Sequence, residues 1–78
     1  MTEQQIQKKI TTRYEKQGFF VLKLIKTTKN GIPDLIVMKG NEFFFVEVKT
    51  PIGRLSPIQE FRIKELKSFG IETKIERE

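Results

Sequence analysis

The chain has 78 residues, enough for one compact domain spanning residues 1–78 and no more. It contains neither cysteine nor histidine, which excludes disulfides, zinc fingers, thiol nucleophiles and a Ser-His triad, so any metal site must be built from oxygen ligands of the kind that suit magnesium or manganese. Fifteen Lys and Arg against ten Asp and Glu leave a net charge of +5, which points to a polyanionic partner, nucleic acid first, with an ordinary solvated basic surface as the alternative.

A domain this short buries only roughly 60–65% of its unfolded surface, so a dimer interface or a bound metal would add needed stability. No run approaches the ~20 apolar residues of a membrane span, and the polar N-terminus shows no secretory signal. The absence of cysteine fits a cytoplasmic protein.

Thr2 opens the first predicted helix, and Gln5 three residues later completes a capping box. Ile6, Ile10 and Tyr14 form an apolar stripe, Lys8, Lys9, Arg13 and Lys16 cover much of the remaining surface, and Gly18 is the expected stop. Phe19 to Ile25 reads as a strand, Thr27 to Gly31 as a polar loop, and Leu35 to Met38 as a short apolar strand. Gly40-Asn41 signals a hairpin turn that returns as a third strand, Glu42 to Lys49. Thr50 to Leu55, with Pro51 and Gly53, is a loop. Ser56 caps a second helix with Pro57 at its first position and Gln59 at its third. Its inner face is expected to include Ile58, Phe61, Glu65, Leu66 and Phe69. Gly70 ends it, and Ile71 to Ile75 alternates as a last strand. The resulting α-β-β-β-α-β order is an α/β fold, a mixed sheet flanked by helices.

Three polar residues interrupt this apolar pattern. Glu47 and Lys49 share one face of the third strand, roughly 6.5–7 Å apart. Asp34 begins the neighbouring hairpin strand, so two carboxylates and an ammonium converge at one end of the sheet. Two carboxylates can hold a hard cation that polarises a phosphate and activates water, and an ammonium can position that water or stabilise developing charge. The Val48 carbonyl, between Glu47 and Lys49, is a candidate further ligand.

Pro33-Asp34 with Glu47-Val48-Lys49 resembles the PD-(D/E)XK nuclease superfamily. More narrowly, the chain resembles the virus-type replication-repair nuclease (VRR-NUC) domain over nearly its whole length. The resemblance rests on an early Glu in the first helix (Glu3), the Gly31 to Asp34 step, the Glu-Val-Lys strand, and the Gly53 to Gln59 segment. It implies a restriction-endonuclease-like core and Mg2+- or Mn2+-dependent cleavage of branched DNA. It also implies a homodimer similar to Holliday-junction resolvases, working in the cytoplasm of a bacterium or a phage-infected cell. Glu3, Asp34, Glu47 and Val48 are then the metal ligands, and Asp34, Glu47, Lys49 and Gln59 the catalytic set. The superfamily's Gln-x-x-x-Tyr motif is incomplete, because Ile63 stands four residues after Gln59.

Plainer readings exist for each residue. Asp34 can cap a turn after Pro33, and Glu47 with Lys49 can be the charged face of an edge strand. Gln59 can serve only its capping box, and Glu3 only the helix dipole. Lys29 and Arg54, in loops beside the proposed site, are candidate phosphate contacts or ordinary surface charge. The Phe-rich strands read as core, with some of their surface expected at a dimer interface. At the level of the whole chain, the alternatives to a nuclease are a non-catalytic basic module that binds nucleic acid and a structural dimer.

Overall fold

The computed structural model describes residues 1–78. Helix α1 (Glu3–Lys16) starts where the sequence pattern puts it: Gln5 N–H donates to the Thr2 hydroxyl at 3.2 Å, and the Gln5 amide oxygen accepts from Thr2 N–H at 2.8 Å. Strands β1 (Phe20–Lys23), β2 (Leu35–Lys39) and β3 (Glu42–Lys49), helix α2 (Pro57–Ser68) and strand β4 (Glu72–Arg77) complete the α-β-β-β-α-β order. The sheet order is β1-β2-β3-β4, antiparallel except for the parallel β3–β4 pair. Helix α2 supplies the crossover that a parallel pair requires. No helix is long and apolar enough to cross a membrane.

The two faces of the sheet differ in kind. Ile6, Ile10 and Tyr14 of α1 pack on Leu35, Val37, Phe44, Val46 and Val48, and this cluster is the buried core. The stripe at i, i+4 and i+8 therefore marks the buried side of α1. The opposite face carries Phe43, Phe45, Glu47 and Lys49, alternating with the core residues along β3. Phe45, Glu47 and Lys49 are buried there, whereas Phe20 and Phe43 stay 60% and 46% exposed. Phe19 is half-buried against the core. The expectation that the Phe-rich strands are core thus holds for Phe44 and Phe45 and fails for Phe20 and Phe43.

Two expected strand ends shift by two residues, and others by one. Strand β1 is shorter than the apolar run Phe19 to Ile25, because β2 begins only at Leu35 and pairing stops at Lys23↔Leu35. The last strand runs on to Arg77, since β3 offers it partners as far as Lys49↔Arg77.

A larger correction concerns α2. Ile58, Phe61 and Phe69, expected inward, are exposed, whereas Glu65 and Leu66 are half-buried as expected, on a side that also includes Gln59, Arg62 and Ile63. The reason is polar. Gln59 Nε2 donates to Glu47 at 3.3 Å, and Arg62 Nε donates to the Asn30 carbonyl at 2.7 Å. These contacts set the rotation of a helix whose apolar stripe alone suggests a different one.

The outer strand β4 is fastened to α1 by charge. The Tyr14 hydroxyl and Arg13 both donate to the Glu76 carboxylate, Arg13 also pairs with Glu78 at 3.1 Å, and Lys9 pairs with Glu78 at 3.1 Å. Burial, together with the Glu76 carboxylate that accepts its proton, pushes the Tyr14 hydroxyl up to about 12. Tyr14→Phe keeps the edge-to-face contacts with Phe19 and Phe44 but removes the hydrogen bond to a carboxylate. It should lower stability in denaturant titration by about 1.5 kcal/mol, with an unchanged slope.

Candidate active site

Asp34 stands one residue before β2. Extending the Leu35↔Val46 register by one step sets it beside Glu47. Its carboxylate accepts the Val48 N–H at 2.8 Å, and its own carbonyl accepts Leu24 N–H at 2.8 Å. Asp34 therefore continues the hydrogen bonding of the sheet past the end of β2, partly through its side chain. A turn-capping role for Asp34 does not describe this geometry, because its partner is the strand that carries Glu47.

The segment leading to Asp34 is held from α2. Gly31 has φ +77°, and a Cβ there would lie 2.7 Å from the Ile58 carbonyl oxygen. Only glycine lets this loop come so close to the first turn of the helix. Arg62 grips Asn30 from the same helix, and Pro33 is fully buried. The Gly-Ile-Pro-Asp step is thus a fitted piece of backbone rather than a free loop.

Glu47 is 1% exposed and Lys49 9%. Buried charges this deep rule out the solvated edge-strand reading, and β3 is an inner strand in any case. Lys49 Nζ lies 3.6 Å from Glu47 Oε2, the same oxygen that receives the Gln59 amide. Gln59 does two things at once. Its Oε1 accepts Ser56 N–H at 2.9 Å in the capping box, and this fixes the amide so that Nε2 faces Glu47. The capping and site readings of Gln59 are therefore the same geometry seen from two sides.

Glu3 reaches the site from the first turn of α1. Oxygens of Glu3, Asp34 and Glu47 lie within 4.8 Å of one another. An all-oxygen set of three carboxylates fits a hard divalent cation, and the crowding of negative charge gives such an ion something to neutralise. Burial pushes the Glu47 carboxyl up to about 7; the Asp34 charge and hydrogen bond and the Glu3 charge add to this, while Lys49 opposes it. The Val48 N–H is committed to Asp34, and the Val48 side chain is buried on the α1 face of the sheet. Lys29 and Arg54 are exposed, in the loops before β2 and after β3.

The chain matches the family model described as the VRR-NUC domain over residues 3–77. It belongs to the VRR-NUC family. A solved structure described as a VRR_NUC domain superposes with a TM-score of 0.80 at 26% identity, covering 94% of this chain and 81% of that one. The fold is accordingly that of the PD-(D/E)XK superfamily, and the chain is a nuclease-type domain. Proteins called UPF0102 from Thermotoga petrophila and Thermotoga maritima are each 32% identical over 55 residues, and one from Thermotoga neapolitana is 33% identical over 55. Those 55 residues are 70% of this chain, and the match spans about half the length (51%) of each relative.

Several contacts at this site have no counterpart in the sequence reading: the Asp34 side chain on Val48, the Arg62 grip on Asn30, and the hold of Arg77 on the carbonyls of Thr50 and Gly53. Arg62 had a usable signal, an arginine at helix spacing from Gln59 on a helix whose apolar stripe lies elsewhere.

The position of Glu47 yields a pH dependence. Its folded value, about 7, exceeds the ordinary value of 4.5, so the fold holds this proton more tightly than the unfolded chain does. In metal-free protein the ionised form carries a cost that is absent below 4.5, grows with pH and is complete above about 7. In EDTA, the melting temperature of wild type should fall from about pH 5 to about pH 8 by more than that of Glu47→Gln. Magnesium should recover the difference at the alkaline end. Parallel curves for the two proteins would contradict this account of Glu47.

Proposed function

We propose that this VRR-NUC domain is a divalent-metal-dependent endonuclease that cuts branched DNA, acting as a homodimer in the manner of a Holliday-junction resolvase. The observation that carries the reading is the convergence of Glu3, Asp34 and Glu47 beside a buried lysine. A module that only bound nucleic acid would gain nothing from three carboxylates along a phosphate track. Magnesium or manganese would be held by Glu3, Asp34, Glu47 and the Val48 carbonyl, and would supply Lewis acidity toward a phosphate oxygen and a more acidic water.

The chain's own groups divide the remaining tasks. Lys49 presents a fixed ammonium to the charge that builds on the phosphate during attack, in a setting with little water to screen it. Gln59 orients Glu47 and is itself oriented by Ser56. Asp34 is aligned by the Val48 N–H. Lys29 and Arg54, exposed in the flanking loops, contact backbone phosphates. Affinity for duplex should fall with salt at a log-log slope near −0.9 per phosphate neutralised. The work of such an enzyme lies where DNA is, in the cytoplasm of a bacterium or a phage-infected cell.

The dimer is supported by a row of apolar side chains across the open face of the sheet. Phe20 is paired with Met38, and Met38 with Phe43, and both phenylalanines are substantially exposed. A two-fold pair of subunits would cover this row and provide the two cuts that a four-way junction needs.

Glu47→Ala should reduce cleavage to background while leaving DNA binding equal or stronger, because it deletes a negative charge from a basic protein. Lys49→Ala should lower turnover by about 10²–10³-fold. Calorimetry should separate the two, with metal binding weakened in Glu47→Ala and retained in Lys49→Ala. A folded Glu47→Ala protein that cuts at the wild-type rate would falsify the proposed site. Sedimentation of Phe20→Glu should shift a wild-type dimer to monomer; a monomeric wild type at micromolar concentration removes the resolvase version of the reading.

A further inference from the structure

The connection from β1 to β2, residues 24–34, has little support of its own. Residues 25–30 are all exposed, and outside the strand ladders a single backbone hydrogen bond closes the loop, from Leu24 N–H to the Asp34 carbonyl. Yet its far end carries Asp34, whose carboxylate belongs beside Glu47. Two contacts with α2 act on the loop in opposite senses. The Ile58 carbonyl oxygen, 2.7 Å from where a Cβ of Gly31 would lie, stops the loop from moving closer to the helix. Arg62 Nε, donating to the Asn30 carbonyl at 2.7 Å, stops it from moving away.

Arg62 is itself held. Its Nη1 pairs with Glu65 at 2.9 Å, and its side chain is only 15% exposed. The Glu65 pair fixes the guanidinium so that Nε faces Asn30, much as Ser56 fixes the amide of Gln59. No residue of α2 is buried, so the placement of Arg62 is not a by-product of core packing. Gln59, three residues earlier and on the same side of the helix, donates to Glu47. One helix therefore orients two carboxylates of the cluster. It acts on Glu47 directly through Gln59. It acts on Asp34 through Arg62, the seated Gly31 and the buried Pro33.

We infer that Arg62 is a positioning residue that, through the Asn30 carbonyl, holds Asp34 at the spacing from Glu47 that a divalent cation needs, an inference whose metal part rests on the nuclease reading above. A small hard cation such as magnesium accepts little error in the placement of its ligands. Groups that orient ligands matter for this reason although they touch no metal; losing one costs about 10–100-fold in metal affinity. The tether grips the path of the chain rather than a side chain, since Asn30 offers only its backbone carbonyl. Because both carboxylates are referred to the same helix, a small shift of α2 carries them together and preserves their spacing.

The test uses the full chain as wild type, Arg62→Gln and Arg62→Met. Glutamine sets its side-chain nitrogen where Nε of the arginine stands, so it keeps the hydrogen bond to Asn30 while losing the charge and the Glu65 pair. Methionine has similar length and no donor. Placement of Asp34 is read in EDTA by hydrogen exchange of the Val48 amide, whose acceptor is the Asp34 carboxylate. Manganese affinity is read separately by calorimetry without DNA. Arg62→Met should exchange the Val48 amide about tenfold faster, with the other amides of β3 unchanged. It should bind manganese about 10–100-fold more weakly. Arg62→Gln should retain the wild-type values of both. Wild-type exchange and affinity in Arg62→Met overturn the inference, as does equal loss in both variants, which would assign the effect to the charge. Faster exchange throughout β3, or failure of Arg62→Met to fold, makes Arg62 a general prop and also overturns it. A wild type that binds no manganese, with Val48 still responding selectively, overturns the metal centre of the nuclease reading while the positioning of Asp34 by Arg62 stands.

Discussion

A carboxylate held almost entirely out of water beside a second carboxylate is the constraint around which this domain is arranged. Burying an ionised group costs several kcal/mol unless neighbours compensate. Around Glu47 the compensation is specific: an ammonium at 3.6 Å and a side-chain amide at 3.3 Å, while the adjacent Asp34 is satisfied by a backbone N–H. Each of these partners needs its own support. Gln59 is aimed by Ser56, Asp34 is delivered by a loop that α2 grips, and α2 is rotated so that Gln59 and Arg62 turn inward beside Ile63 and Leu66. Apolar packing dominates the seat of α1, whereas the hydrogen bonds of Gln59 and Arg62 help fix the rotation of α2.

That contrast explains what the sequence made legible. Both capping boxes, the hairpin through Gly40 and the limits of β3 follow from local rules with short reach, and they appear as read. The stripe Ile6, Ile10, Tyr14 names the buried side of α1 because apolar packing on the sheet and the Tyr14 hydrogen bond to Glu76 turn the same side inward. The same logic fails for Ile58, Phe61 and Phe69, where contacts from Gln59 and Arg62 to distant parts of the chain outweigh the stripe. Glu47 and Lys49 stood out as charges on a face otherwise held by Phe43 and Phe45. Asp34 became visible through the hairpin that returns to it. The partner of its carboxylate, a backbone N–H fourteen residues away, has no mark in any residue pattern. The grip of Arg77 is likewise invisible, since nothing near position 77 refers to the turn at 50–53.

The two faces of the sheet also carry separate duties. The α1 face holds the cluster from Ile6 to Val48 and supplies most of the buried apolar volume. The other face is given over to the site at one end and to partly exposed Phe20 and Phe43 at the other. Because side chains alternate along β3, one strand serves both at once, with Phe44, Val46 and Val48 in the core and Glu47 and Lys49 in the site. A one-residue slip of β3 against β2 would send the charges into the core and the valines into the site, so core packing and site geometry enforce a single register.

Glu3 lies on the first turn of α1, whereas Asp34 and Glu47 come from the sheet that α1 covers. The triad of carboxylates therefore exists only once the opening helix has docked on strands formed much later in the chain. A partly folded molecule, or one whose helix has frayed, holds two of the three oxygen donors and not the full set. Completion of the fold is therefore the step that assembles the full carboxylate cluster.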